Sequence, residues 1–262
     1  MLCGTILNLR RLSDIMDGFR LTQINSRLSV YEKDGGQTFG ADAFLLSAYA
    51  TAASELDAVD LGCGTGICSF LLADHKKAKH IYAIDIQPDL ISAARVNITD
   101  NGLERLVTAV CTDIRFLTPG SFPSPIGTVI SNPPYIPFGA GKIPPDISRA
   151  AARHELNGGI FEFCSAASHI LAPGGRFFCV FRAERLTDLT AALKASGLSP
   201  KTMTFVHHNT QCSPAMILTE AVKGNASLKI TRPLFLYREK TLLTDDAERI
   251  YNDCSFEGFL NE

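Results

Sequence analysis

The segment Asn132-Pro133-Pro134-Tyr135 carries the clearest chemistry in this sequence. Two successive prolines fix the backbone and remove two N–H donors, which leaves the side-chain oxygen of Asn132 and the carbonyl of Pro133 as acceptors. Such a pair can hold both protons of a planar NH2 group, and it holds them more strongly as the nitrogen becomes tetrahedral. The ring of Tyr135 offers a face on which a flat substrate stacks. The segment therefore predicts a catalytic site for a conjugated amine or amide nitrogen, with a rigid loop after a buried strand as the alternative.

A glycine-rich loop lies upstream and reads Asp60-Leu61-Gly62-Cys63-Gly64-Thr65-Gly66. It follows a predicted strand and opens a predicted helix, where glycines permit a sharp turn and free N–H groups face a ligand. A dinucleotide-binding loop has the spacing Gly-x-Gly-x-x-Gly, but Ile67 stands here where its third glycine would be. Asp85 ends the next predicted strand and can accept both hydroxyls of a ribose. The loop thus predicts a nucleotide-type cofactor, with a tight turn that binds no ligand as the alternative.

Strand and helix patterns alternate from residue 58 onward, and the residues above follow the strands. Seven strands are predicted, over 58–61, 80–85, 107–111, 128–131, 176–181, 201–207 and 215–221. Helices are predicted over 42–52, 67–74, 88–100, 157–172 and 185–195. This alternation predicts an α/β fold with a seven-stranded, mainly parallel sheet that helices cover on both faces. Ligands are expected at the carboxyl ends of the first strands, where the strand order reverses.

The beginning of the chain does not show this regular alternation of strand and helix patterns. We predict that residues 1–52 form an N-terminal extension packed on a core domain of residues 53–262. Within the extension, residues 31–39 have the pattern of a strand, a turn at Asp34-Gly35 and a second strand. Asp42 is expected near the start of the following helix.

Composition excludes several classes of protein. Of the 262 residues, 46% are hydrophobic and 20% are charged, so a full core can form. No apolar run reaches the roughly 20 residues that span a bilayer, and no signal peptide is recognisable, so we expect a cytoplasmic monomer without membrane attachment. The formal net charge of −2 gives no support to a large nucleic-acid footprint, although a local basic patch stays open. The eight cysteines include no Cys-x-x-Cys pair, so we expect buried free thiols, Cys111 and Cys179 among them, and no metal site.

The glycine loop together with Asn132–Tyr135 resembles the Rossmann-like class I S-adenosylmethionine-dependent methyltransferases. Members of that class modify exocyclic amines of adenine or the side-chain amide of glutamine in release factors. Three further segments, at residues 39–46, 152–155 and 233–237 with Ile250-Tyr251, make the chain similar to the bacterial tRNA(Val) adenine-N6 methyltransferase family. Ala41 departs from that family, which usually has Thr at this position, so a hydroxyl contact to the cofactor is missing.

The resemblance implies S-adenosylmethionine as the cofactor and a role for each motif. The implied cofactor-binding residues are Phe39, Gly40, Asp42, Asp60, Gly62, Cys63, Gly64, Gly66, Asp85, Ile86, Asp113, Ile114 and Asn132. In this set Phe39 to Asp42 would cover the methionine end of the cofactor, and Asp85 would hold the ribose. Asp113 would accept the adenine amino group, with Ile86 or Ile114 packed on the adenine ring and with a helix or turn cap as the alternative for Asp113. The target amine would lie against Asn132, Pro133, Pro134 and Tyr135. Substrate contacts are implied for Arg153, His154 and Glu155, with the charged start of a helix as the alternative.

The implied substrate is the N6 amine of adenine in a tRNA. Methylation of a release factor at its glutamine amide is the first alternative, although residues 1–50 fit poorly to the separate helical domain that such enzymes usually carry. A non-catalytic or nicotinamide-binding Rossmann protein is the second alternative. The residue at position 67 and the acceptor-rich segment at Asn132 argue against that second class.

Overall fold

The computed structural model describes residues 18–34, 40–51, 55–134, 158–239 and 241–260. These residues form a two-stranded hairpin and a nine-stranded sheet with helices on both faces. The strands are β1 (Phe19–Gln23), β2 (Ser29–Lys33), β3 (Asp57–Leu61), β4 (Ile81–Asp85), β5 (Val107–Cys111), β6 (Ile126–Ser131), β7 (Leu171–Arg182), β8 (Leu198–His207), β9 (Pro214–Lys223), β10 (Lys229–Ile230) and β11 (Leu234–Phe235). The helices are α1 (Ala41–Tyr49), α2 (Ile67–Asp74), α3 (Pro88–Asp100), α4 (Ile160–Ile170), α5 (Leu186–Ala195), α6 (Asp245–Asp253) and α7 (Glu257–Leu260).

The large sheet has the order β10-β8-β9-β7-β6-β3-β4-β5, and β11 also pairs with β8. Neighbouring strands from β7 to β5 run parallel, whereas β9 runs antiparallel to both β7 and β8. Strands β3 to β9 are the seven that the sequence predicted, so the mainly parallel α/β sheet is confirmed. The count rises to nine because β10 and β11 are two-residue strands, too short to leave a periodic signal.

The sheet separates two apolar cores because successive side chains of a strand point to opposite faces. Ala58 and Ala83 belong to the core on the face of α1, α2, α3, α6 and α7. Val59 and Ile84, one position further along, belong to the core beneath α4 and α5. The strand order reverses at β3, since β4 lies on one side of it and β6 on the other. This reversal opens a crevice at the carboxyl ends of β3 and β6.

Helix bounds follow the sequence closely, with two exceptions. The helix predicted over 42–52 already ends at Tyr49. Helices α2 and α3 have the bounds that were predicted for them. The helix predicted over 157–172 was too long: α4 begins at Ile160 and ends at Ile170, because Leu171 already pairs with Ile126 in the sheet. Pro173-Gly174-Gly175 therefore lies inside β7, where the register with β6 shifts, and does not itself end the helix.

The N-terminal hairpin lies earlier in the chain than predicted. Tyr31 is in a strand as expected, but β2 pairs with β1, which precedes it, and residues 24–28 make the turn. The predicted second strand after Asp34-Gly35 falls on residues 35–39, outside the described part of the chain. The division at residue 52 stays a prediction.

Asn97 of α3 and Asn101, the residue that caps its end, tie this hairpin to the core. Asn97 accepts from the N–H of Tyr31 at 2.8 Å and donates to its carbonyl at 3.2 Å. Asn101 makes the same pair of hydrogen bonds with Ser29. Side-chain amides thus take the place of a neighbouring strand along β2. Asn97 donates a further hydrogen bond to the carbonyl of Thr65 at 3.0 Å, which links the hairpin to the glycine loop.

The last part of the chain is more structured than predicted. The sequence indicated no element after residue 221, yet β10, β11, α6 and α7 follow. They cover the sheet beside α1, with Ile250 and Phe259 fully buried in its core. Among the described residues, no helix combines the length and apolarity that crossing a bilayer requires.

The cysteines follow the prediction with two corrections. Cys179 is a buried free thiol as expected, and so are four others: Cys63, Cys68, Cys164 and Cys254. Cys111 was wrongly placed in the interior; it is exposed because it ends β5, which is the outermost strand of the sheet. Cys212 is exposed as well.

Candidate active site

The glycine loop crosses the carboxyl end of β3, inside the crevice. The N–H groups of Gly62 and Cys63 both donate to the carbonyl of Ile84, at 2.8 and 2.9 Å, and so hold the loop against the end of β4. Gly66 adopts a left-handed conformation, with φ of 101°, at the start of α2. A side chain there would also collide with the ring of Phe70, since a Cβ would lie 2.4 Å from it. Both constraints explain why glycine stands at this position.

Gly64 lies at the tip of the loop and faces open space. Its φ is 58°, and a Cβ placed on it would meet no atom within 4 Å. Its N–H donates to the carboxylate of Asp85 at 2.9 Å. The backbone of the loop therefore leaves room for a ligand directly beside a carboxylate.

Asp85 is buried at the end of β4, and its two oxygens have different partners. One accepts from Gly64, and the other accepts from the N–H of Gln87 at 2.9 Å. Burial raises the pKa of Asp85, while the backbone donors oppose that shift. Each oxygen retains a further lone pair for a ligand hydroxyl.

Asp60 is turned toward the protein interior. Its carboxylate accepts from the backbone N–H of Ser69 at 3.1 Å and from the Ser69 hydroxyl at 2.8 Å. Burial raises the pKa of Asp60 to about 7, against the hydrogen bonds from Ser69 that lower it. The described contacts of Asp60 fasten α2 to the end of β3.

Asp113 caps a short 3-10 turn after β5, which is the alternative that the sequence left open. It accepts from the backbone N–H of Arg115 at 2.9 Å, and the Arg115 guanidinium binds both of its oxygens. The side-chain hydrogen bond from Arg115 lowers the pKa of Asp113. Ile86 is half-buried, whereas Ile114 lies in the core beneath α4. Of the two isoleucines, Ile86 therefore has more surface for contact with a ring.

Asn132 follows β6 and is held by α1. Its side-chain nitrogen donates to the carboxylate of Asp42, with 3.1 Å between Nδ2 and Oδ2. The other oxygen of Asp42 accepts from the N–H groups of Gly40 and Ala43, at 3.1 and 2.9 Å. A carboxylate offers no proton to an amide oxygen, so the amide nitrogen must face Asp42. The Asn132 oxygen is thereby turned away from Asp42, as an acceptor for a substrate proton.

The backbone at this point is fixed by the strand before it. Ser131 is buried and its hydroxyl donates to the carbonyl of Leu61 at 2.8 Å, which locks the end of β6 to the end of β3. Pro133 is buried and Pro134 is half-buried. The glycine loop and the Asn132 acceptor are thus set in one rigid frame.

Sequence reasoning gave no role to the aromatic residues of the C-terminal part. Tyr251 of α6 packs its ring edge-on against Phe44 of α1, with 6.1 Å between the ring centroids. Burial raises the pKa of Tyr251 to about 12, and the nearby Tyr237 and Asp42 add to that shift. Tyr251 therefore lies beside the Asp42–Asn132 pair. Both tyrosines belong to segments that the family resemblance had singled out.

The remaining predicted residues fall outside the described part of the chain. They are Phe39, Tyr135, Arg153, His154 and Glu155. In the ranges that the structure describes, no group of three or more His, Cys, Asp and Glu side chains converges as metal ligands would.

Comparison with known proteins decides the class. The sequence profile of the methyltransferase small domain family matches residues 30–196, which include the glycine loop, Asp85 and Asn132. The chain belongs to the methyltransferase small domain family. It is an S-adenosylmethionine-dependent methyltransferase, as its motifs predicted. The open space at Gly64 and the carboxylate of Asp85 fit the ribose and methionine parts of that cofactor.

Individual relatives of this methyltransferase carry more specific names. The tRNA1(Val) (adenine(37)-N6)-methyltransferase of Bacteroides fragilis strain YCH46 is 26% identical over 229 residues, covering 80% of this chain and 95% of the relative. A protein of the same name from Phocaeicola vulgatus is 28% identical over 192 residues, covering 73% and 80%. A predicted O-methyltransferase from Agrobacterium tumefaciens has the same fold, with a TM-score of 0.65 at 21% identity, covering 82% of this chain and 97% of that one.

Proposed function

We propose that this methyltransferase transfers a methyl group to the N6 amine of adenine in a tRNA. The observation that carries the proposal is the orientation of the Asn132 amide, whose nitrogen is engaged by Asp42 and whose oxygen is left to accept a proton from an amine. The names of the relatives from Bacteroides fragilis and Phocaeicola vulgatus support tRNA as the substrate. No contact among the described residues favours the release-factor alternative.

The cofactor supplies an activated methyl group on its sulfonium when it is bound. Gly62, Gly64 and Gly66 would line it. Asp85 would accept the ribose hydroxyls, and Asp113 with Ile86 would meet the adenine. Gly40 lies at the start of α1, on the side proposed for the methionine end.

The chain's own residues then position the amine. The Asn132 oxygen and the Pro133 carbonyl would accept its two protons, and Tyr135 would stack on the base. These hydrogen bonds strengthen as the nitrogen loses its conjugation, so they favour the transition state over the bound substrate. Asp42 acts as a positioning residue because it fixes which atom of the Asn132 amide faces the amine.

Labelled methyl transfer tests this function. Purified protein is incubated with labelled S-adenosylmethionine and either bulk tRNA or release factor, and the tRNA is digested to nucleosides. The expected result is label in N6-methyladenosine. Label in the release factor alone would contradict the proposed substrate, and calorimetry that shows binding of NAD but not of S-adenosylmethionine would contradict the site assignment.

Asn132→Ala tests the role of the acceptor in the same assay. We expect turnover to fall by about 10²-fold, the scale of removing a hydrogen-bond partner of a transition state, while cofactor affinity stays within a few-fold. A loss of cofactor binding as large as the loss of turnover would mean that Asn132 shapes the cofactor site instead.

A further inference from the structure

Two pairs of aromatic rings stand side by side at the carboxyl ends of β8 and β11. The rings of His208 and Tyr237 are 4.7 Å apart between centroids, with planes tilted by 41°. His207 and Phe235 form a similar pair, with a separation of 5.0 Å and a tilt of 44°. Both strands run parallel to β3 and β6, so these pairs lie on the same edge of the sheet as Asn132.

The pairs are held firmly and one of them is open to solvent. The N–H of Tyr237 donates to the carbonyl of His208 at 2.9 Å. Nδ1 of His207 lies 2.8 Å from the carbonyl oxygen of Cys212. The side chain of His208 is exposed, while Tyr237 is half-buried. A ring face in this place is therefore accessible and needs little ordering before a ligand stacks on it.

Another pair of rings lies close to the proposed amine site. Tyr251 packs against Phe44 on one side and lies near Tyr237 on the other. Phe44 follows Asp42 by two positions on α1, and Asp42 binds Asn132. Two ring pairs, Phe44 with Tyr251 and Tyr237 with His208, thus lie at this end of the molecule, and we call these four residues the aromatic track.

Two arginines near the track, in the part of the chain that the structure describes, have carboxylate partners. Arg238 forms an ion pair with Asp245, and Arg182 lies 3.8 Å from Glu184. The whole chain has a formal net charge of −2. These two arginines of the described chain therefore bring little unpaired positive charge to a polyanion. Ring faces provide another source of affinity, since bases stack on aromatic side chains whatever their sequence.

We propose that the aromatic track binds unpaired RNA bases that flank the methylated adenine. This inference rests on the proposed function and adds the surface that receives the rest of the substrate. Sequence-specific proteins recognise RNA mainly in loops, where bases are splayed out and stack on Tyr, Phe and His. A tRNA loop presents such bases next to its target, and the track lies on the edge of the sheet where the target would lie.

His208→Ala and Tyr237→Leu test the proposal, and the chain provides a matched control. His80 and Tyr82 form another ring pair, 4.9 Å apart, at the amino end of β4 and therefore on the opposite edge of the sheet. KM for tRNA, kcat, the Kd for S-adenosylmethionine and the Kd for an unstructured ten-nucleotide RNA are measured for each variant and for His80→Ala. Losing one stacking ring should weaken RNA binding by about tenfold.

The expected result is a raised KM and RNA Kd for His208→Ala and Tyr237→Leu, with cofactor affinity unchanged and His80→Ala like the wild type. The effect should persist at moderate salt, because stacking releases no counterions. The side chain of His208 is exposed, so we expect His208→Ala to fold normally. The proposal is overturned if His208→Ala binds RNA as tightly as His80→Ala. The proposal is also overturned if His208→Ala and Tyr237→Leu change the affinity for release factor but leave the affinity for RNA unchanged. Absence of N6-methyladenosine with the wild type would instead refute the proposed function.

Discussion

Asn132 donates its side-chain N–H to the carboxylate of Asp42 across 3.1 Å, and this bond joins the loop after β6 to the start of α1. Two amino acids that are far apart in sequence thereby share one hydrogen bond at the mouth of the crevice. Without that bond the amide could turn over and present its nitrogen, which repels an amine proton instead of accepting it.

Asp42→Ala should therefore lower turnover more than binding. Loss of the orienting acceptor is expected to reduce kcat by about tenfold or more, while the Kd for S-adenosylmethionine stays within a few-fold. Asp89→Ala is the control, since Asp89 also lies in the first turn of a helix, and it pairs with Lys33 on the surface. If cofactor affinity falls and kcat at saturation is preserved, Asp42 acts on the methionine end of the cofactor, as the family resemblance implies.

A comparison of Gly64→Ala with Gly102→Ala should distinguish the effect of backbone strain on stability from the effect of ligand contact on cofactor binding. Gly64 and Gly102 both have left-handed backbones, with φ of 58° and 65°, and neither would place a Cβ within 4 Å of another atom. Each substitution to Ala should therefore lower the free energy of unfolding by about 1 kcal/mol. Only Gly64→Ala should also weaken S-adenosylmethionine binding, measured by calorimetry, because its methyl group projects into the proposed cofactor space. Equal cofactor affinity in the two variants would show that the cofactor does not lie at the tip of the loop.

Asp60→Asn should change how stability depends on pH. The pKa of Asp60 rises from 3.8 to about 7 on folding, so between these values the folded state binds more protons than the unfolded state. The stability that Asp60 contributes is thus fully present below pH 3.8 and is lost as the pH rises toward about 7. Urea denaturation of both proteins at several pH values should show the wild type losing stability relative to Asp60→Asn across this window.

The opposite trend is expected for a control at Asp246. Hydrogen bonding from Arg232 lowers the pKa of Asp246, so its contribution is present above the ordinary pKa and is lost as the pH falls below it. Relative to Asp246→Asn, the wild type should therefore gain stability as the pH rises. If the stability difference between wild type and Asp60→Asn rises with pH in the same way as that between wild type and Asp246→Asn, Asp60 does not titrate as its burial requires.

Asn97→Ala should loosen the hairpin and the glycine loop together. The substitution leaves the N–H and carbonyl of Tyr31 and the carbonyl of Thr65 without the partner that Asn97 provides. Unfolding free energy is expected to fall by about 2–3 kcal/mol, the cost of stranding buried polar groups. Hydrogen exchange should rise in β2 and in the loop after β3, whereas Thr99→Ala on the same helix should leave both unchanged. Exchange that rises in β2 alone would show that the loop is held independently.

The sequence predicted the number and approximate positions of the central strands because each carries its own apolar run between turn signals. It also predicted the bounds of α2 and α3, where proline and glycine mark the ends. The direction of Asp60 was not predictable, since a carboxylate after a strand can face either a ligand or the next helix. The Asp113 cap had been left as an alternative for a similar reason.

The C-terminal elements escaped prediction for a different reason. Strands β10 and β11 have two residues each and depend on β8 for their existence. The position of Tyr251 beside Asp42 results from tertiary packing of α6 on α1, which no local pattern encodes. Only likeness to a family drew attention to that segment.

Because α6 comes late in the chain, its packing on α1 can form only near the end of synthesis. Strands β3 to β9 and the glycine loop emerge first and can form the crevice while synthesis continues. Tyr237 and Tyr251 emerge only afterwards, so the aromatic track is the last part of the proposed site to be completed. Until α6 and α7 emerge, the core that they share with α1, α2 and α3 lacks its cover.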